Sequence, residues 1–286
     1  MNANDLDLID VSGDIPTIST YTRVLGGIAQ LMPELADGMG PLKAQKPARE
    51  QYAHVLRIDQ KMRETVQVIP RFLLQKDNEL EEQYAWLGIA RQSLAITAAE
   101  KIVMIHRPFL FLSFQSENYG HTRRTCVAAA LTILREHKSI VESGEVSLWT
   151  HVAFSITAAL ILSFEVICSQ RKEWDNQQED YLDAIRDARQ RLLGRTNDVL
   201  AQRGVVLIDA VFSEVGSLDS FSNMTLTARP EAISFEDIAA RFKTDWFILG
   251  STSELKHYDI PDDHFVGNAS EDFDDWFQHI FHTNIL

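Results

Sequence analysis

The side chains with chemistry to offer fall in two stretches. His106 and Arg107 precede Pro108 and Phe109, and Tyr119, His121 and Arg123 follow shortly after. Farther along, His151 and Glu165 stand fourteen residues apart in a strongly apolar segment, which puts them on nearly the same face of a helix. A carboxylate embedded among apolar residues acts as a general acid or base when its pKa is displaced. The structural alternative is a core ion pair, here with Arg123 or Arg124, that holds two helices in register. Asp59, which lies in the apolar stripe of Tyr52, Val55, Leu56, Met62, Val66 and Ile69, has the same two readings. For His106 and Arg107 the structural alternative is a helix end, where cations suit the exposed carbonyls. As a binding constellation, His106, Arg107, Tyr119, Arg123, His151 and Glu165 would be the polar points of an otherwise apolar ligand cavity.

Other patterns carry less. Asp275, His279 and His282 have a spacing that can put ligands on one helix face. Nothing else in the chain completes such a site, so no metal is expected. Ser169 and Lys172 form a Ser-x-x-Lys string without a companion motif, a chance match. There is no Gly-x-Ser-x-Gly, no phosphate loop and no Gly-x-Gly-x-x-Gly, and no cofactor is expected. From Ser270 to Phe277 acids alternate with aromatics. Phe273, Trp276, Phe277 and Phe281 are either an interaction tail that folds on a coactivator or the apolar face of a terminal helix docked on the core.

The elements that must position these residues read as helices throughout. A helix is expected from Thr20 to Leu35, ended by Gly38, Gly40 and Pro41, with a Lys/Pro linker after it. The stripe starting at Tyr52 gives a second helix, closed or kinked by Pro70. Glu79 to Ile105 is apolar nearly all round and marks a helix central to its domain, ending at His106-Arg107-Pro108. The next helix begins at Thr122 and carries Cys126, Ala130, Ile133, His137 and Ile140 on one face. Ser147 to Cys168 is the second central helix; its uncharged run, Val152 to Phe164, is shorter than the ~20 residues needed to span a bilayer. Tyr181, Ile185, Ala188 and Leu192 define an amphipathic helix, and Val205 to Phe212 continues a helical phase. Residues from Gly216 to about Pro261 form the least regular part. No strand-like alternation persists, so the class is all-α: a multi-helix domain with two central apolar helices. Residues 1–50 comprise an acidic arm, a short helix and a linker, and 51–286 a helical core with a C-terminal amphipathic helix. The two central helices, 84–107 and 147–168, are too apolar to face solvent, and a hydrophobic cavity between them is expected.

Composition narrows the partners. Lys and Arg total 27 against 41 Asp and Glu, a net charge of −14. Autonomous DNA binding neutralises phosphates with basic side chains, and an acidic chain with no basic run is poorly made for it. Solubility alone also accounts for such a charge. Two cysteines, Cys126 and Cys168, are too few for a zinc finger or a binuclear zinc cluster. Both sit in apolar helical patterns as small hydrophobes, which fits a reducing compartment. The N-terminus lacks the charged and apolar regions of a secretory signal.

Several segments, in order, resemble the fungal-specific transcription factor domain, the helical regulatory region that usually follows a zinc binuclear cluster. Ile102–Leu110 (IVMIHRPFL) and Tyr119–Cys126 (YGHTRRTC) are its most telling match. Tyr52–Asp59 followed by VIPRFLL, Leu148-Trp149 leading into AALILSFE, QRGVVLIDA, and the closing DDWF are similar to further family segments. The acidic DLDLID with IPTISTY is similar to the arm found midway through that domain. The likeness covers most of the chain at low identity. It implies an all-α fold, dimerisation with itself or with a partner regulator, effector sensing and a nuclear or cytoplasmic setting. The family's zinc cluster and its earlier helices have no counterpart, so the resemblance is to a truncated or shortened regulator. The expected function is a regulatory or interaction module that binds a hydrophobic small molecule and touches neither nucleic acid nor membrane. The alternatives are a stand-alone enzyme of secondary metabolism that reuses the helical fold on a polyketide- or terpenoid-like substrate, and a dominant-negative partner of a full-length regulator.

Overall fold

A computed structural model describes residues 15–39, 47–169 and 176–213 of the chain. Among them are nine α-helices and no strand: α1 (Ile18–Ala29), α2 (Leu31–Met39), α3 (Ala48–Gln67), α4 (Asn78–Gln83), α5 (Leu87–Gln115), α6 (Gly120–Glu142), α7 (Trp149–Ser169), α8 (Asn176–Leu193) and α9 (Val199–Ser213). The all-α class holds. The acidic arm, the 216–261 stretch expected to be irregular and the tail with Phe273, Trp276, Phe277, Phe281, His279 and His282 lie outside the described residues.

Local sequence sets most of the breaks. The single helix expected at 20–35 is two. Pro33 has no N–H to give the Ala29 carbonyl, so α1 stops at Ala29 and Pro33 falls in the first turn of α2, where that donor would be orphaned anyway. Thr17 starts α1, its Oγ1 accepting from the Thr20 N–H at 3.1 Å. Residue 69 precedes Pro70 and is steered out of helix, so α3 ends at Gln67 and Pro70 opens a 3₁₀ turn, Arg71–Leu73. Asp77 caps α4, accepting from the Glu79 and Leu80 N–H groups, both at 3.1 Å. At the end of α6, Gly144 takes φ of 75°, and the N–H groups of Gly144 and Glu145 close onto the Val141 and Ile140 carbonyls, each at 3.2 Å.

One expectation is overturned at the centre. Pro108 does not end a helix; α5 runs straight through it to Gln115. His106 and Arg107 therefore lie in a helix interior and have no terminal carbonyls to tie down. The expected helix from Glu79 is also divided: Tyr84, with φ −125° and ψ 82°, separates α4 from α5 without any Gly or Pro to announce it.

Two apolar clusters share α5. One gathers Leu110 of α5 with Ile133 of α6, Val152 to Ile167 of α7, Leu182 of α8 and Ile208 of α9. The other packs Ile28, Leu31 and Leu35 of α1 and α2 against Ile58 and Met62 of α3 and Ile105 and Phe109 of α5. The segment placed in 1–50 by sequence thus supplies apolar residues to the core. α6 lies along both α5 and α7, which meet each other over a shorter stretch. α7 is long and apolar enough to cross a membrane by composition, but 78% of its apolar window is buried within the protein, the signature of a core helix. α9 approaches α7 closely because residue 204 is glycine: a Cβ there would sit 2.4 Å from the Ile156 side chain.

Candidate functional site

Among the described residues, a cluster of one carboxylate and two histidines forms where α3, α5 and α6 meet. Asp59 lies on the inward stripe of α3, whose neighbours Val55, Ile58 and Met62 are fully buried. His106 comes from the middle of α5, between Val103 of one apolar cluster and Phe109 of the other. His121 stands in the first turn of α6. Asp59 and His106 side chains are 5% and 0% exposed, whereas His121 is 43% exposed, so the grouping is closed on the core side and open at His121.

His106 Nε2 lies 3.4 Å from Asp59 Oδ1, and His121 Nε2 lies 3.3 Å from Asp59 Oδ2. Arg63, one turn along α3, donates from Nε to Asp59 Oδ2 at 2.9 Å. The other nitrogen of His106, Nδ1, is 3.0 Å from the buried Thr122 hydroxyl. His106 Nε2 makes no hydrogen bond. Burial opposes the charge on Asp59, but His106, Arg63 and His121 prevail and hold its carboxyl well below the usual carboxylate range. Burial, with the Asp59 charge beside it, pushes the Cys126 thiol well above its ordinary range, so it is a core hydrophobe rather than a nucleophile.

Glu165 and Arg123 find each other. Arg123 donates from Nε to Oε2 at 2.6 Å and from Nη2 to Oε1 at 2.9 Å, a two-pronged bond between α6 and α7. Ser169 completes it, donating to Glu165 Oε1 at 2.8 Å and accepting from Arg123 at 2.9 Å. The guanidinium also lies 5.4 Å from the centre of the Phe114 ring. Every strong group on Glu165 is engaged, which is the arrangement of a structural clamp.

The remaining sequence-derived candidates sit in other company. Tyr119 stacks on Phe109 with centroids 5.3 Å apart and meets Tyr52 edge-on at 4.8 Å. Arg107 interacts electrostatically with Glu100, whose carboxyl is raised by burial despite Lys101 and Arg107. His151 accepts from the Leu148 N–H at 3.3 Å and so caps the start of α7. Next to it is a group that sequence reading did not single out: His137, 1% exposed, is held by Ser155 at 2.6 Å on Nδ1 and by Ser147 at 3.0 Å on Nε2. The structure therefore joins His106 to Asp59 and His121, and Arg123 to Glu165, with Tyr119 and His151 each in a separate group. No local period links residues 59, 106 and 121; the sequence marked Asp59 as an aspartate in an apolar stripe and His106 and His121 as polar residues near each other in the chain, but nothing in it joined the first to the other two.

Comparison with known proteins bears on the whole. A curated relative, the pyrrolocin cluster transcription factor fsdR of a fungal species (strain NRRL 50135), is 24% identical over 204 residues, or 65% of this chain. The chain is similar to part of a fungal transcription factor. It spans about a quarter of that relative's length, 25%. No family model matches, and no solved structure matches.

Proposed function

We propose that this chain is a regulatory or interaction module of the fungal-specific transcription factor type, which binds a hydrophobic small molecule and acts by pairing with itself or with a partner regulator. The observation that carries the reading is the 204-residue likeness to a cluster transcription factor. The all-α fold agrees with it. So does the engagement of Glu165: both of its oxygens are tied to Arg123, and one also to Ser169, as in a structural ion pair. The net charge of −14 argues that these 286 residues do not themselves make the DNA contact.

The test is to tether the full chain to an unrelated DNA-binding domain and read a reporter while extracts of the host's secondary metabolites are supplied. Metabolite-dependent change in reporter output, with saturable binding of the same compound to the purified chain, is the expected result. Turnover of a pathway intermediate by the wild type, lost in a well-folded His106→Gln variant, would instead establish the enzyme reading.

A further inference from the structure

We propose that Asp59, His106 and His121 form a site for a divalent first-row transition-metal ion, zinc foremost, which ties α3, α5 and α6 together. One carboxylate oxygen and one ring nitrogen from each histidine lie within 4.8 Å of one another. Zinc bonds of ~2.0–2.1 Å at the tetrahedral angle place neighbouring ligand atoms about 3.4 Å apart. His106 Nε2 stands 3.4 Å from Asp59 Oδ1, and His121 Nε2 stands 3.3 Å from Asp59 Oδ2 in a long hydrogen bond. The carboxylate thus presents one oxygen to each imidazole, at separations of the size that ligands of one ion keep.

The burial of His106 is the second, independent observation. Its Nε2 is sealed from solvent, makes no hydrogen bond and faces a carboxylate oxygen. The Thr122 hydroxyl can accept from Nδ1, and in that tautomer Nε2 presents its lone pair toward the Asp59 oxygen. That is the form in which a cation between the two side chains engages both. The Nδ1–Thr122 bond is the outer partner that fixes a metal-bound imidazole's tautomer, and Arg63 plays the same part for Asp59. The exposed edge of His121 gives an ion its way in and leaves room for water to complete the shell.

The experiment uses the full chain, stripped with a chelator and titrated with Zn²⁺ or Co²⁺ alone, following bound metal, the visible spectrum of cobalt and the melting temperature. The expected result is one tightly held equivalent in the wild type, a cobalt spectrum of low coordination number, and a melting temperature raised by zinc. His121→Ala, at a half-exposed position where folding is retained, weakens binding at least about tenfold and abolishes the zinc-dependent rise. Asp59→Asn does the same where it folds, and His151→Gln leaves both unchanged. Absence of stoichiometric uptake by the wild type, or uptake that His121→Ala does not weaken, overturns the site.

Discussion

The Arg123–Glu165 clamp shows what a lone carboxylate in an apolar helix does when another helix supplies its counter-charge. Its side chains are 19% and 14% exposed, between the surface pairs worth ~0.2–1 kcal/mol and fully buried ones whose disruption costs ~3–5 kcal/mol. Glu165→Gln should therefore destabilise the protein by about 1–3 kcal/mol in a urea titration, and Ser169→Ala by less, since it removes two hydrogen bonds but leaves the two-pronged ion pair in place. His137 makes a prediction with a sign. Burial first, then the charges of Arg191, His151 and Arg195, lower its pKa from an ordinary 6.5 to about 3. The unfolded chain takes up a proton below pH 6.5 that the folded chain refuses until about pH 3. Stability from this group is thus complete above pH 6.5 and lost as pH falls toward 3, by up to about 1.4 kcal/mol per pH unit. His151, also lowered by burial, acts in the same direction. Unfolding free energy measured from pH 7 down to 4 should decline, and His137→Gln, which keeps a polar group between Ser147 and Ser155, should flatten the decline.

At the scale of elements, close contact between α7 and α9 depends on one missing methyl group. Gly204→Ala drives a Cβ into Ile156, which is 1% exposed and has little room to turn. A loss of about 1–3 kcal/mol is expected despite alanine's better helix propensity, because overpacking outweighs the ~1 kcal/mol that Gly→Ala gains in an open helix. A double-mutant cycle with Ile156→Ala should show strong coupling, since shortening that side chain makes the space. An additive pair would mean that α9 simply shifts outward. Pro108 teaches the complementary lesson. Read locally, a proline after a long apolar run ends a helix; in the fold, α5 continues because Phe109 and Leu110 beyond it are 2% and 3% exposed, packed into the two apolar clusters. Their burial outweighs the hydrogen bond that Pro108 cannot make to the Met104 carbonyl.

For the molecule as a whole, charge makes the sharpest forecast. With a net charge of −14, the isolated chain should give no sequence-selective, salt-sensitive shift of duplex DNA. A selective complex weakening steeply with salt would overturn that and would call for a basic surface that the composition hides. Ion pairs such as the two-pronged Arg189–Asp209 bond between α8 and α9, at 2.5 and 2.7 Å, spend part of the small basic complement on holding helices together. Those cations are not available to phosphates.

The sequence by itself determined the all-helical class, because a 3.6-residue apolar period repeats from Tyr52 to Val211 without strand-like alternation. It also marked the break at Pro70, where a clash with the preceding residue acts within a few bonds; the break at Pro33 has an equally local cause, a missing N–H, but the helix expected at 20–35 runs through it. The candidate site was only half legible. Asp59 and Glu165 stood out as charges that an apolar face must neutralise, yet their partners lie on other helices, and no spacing along the chain encodes a distance across a bundle. Tertiary packing decided that Asp59 meets His106 and His121, that Glu165 meets Arg123 rather than Arg124, and that His137 and His151 are satisfied by Ser147, Ser155 and the Leu148 N–H. The physical reason is the same in each case. A polar group's burial is announced by its own neighbours in sequence, but the group that compensates it is chosen by the rotation and register of a second helix, which only the filled core fixes.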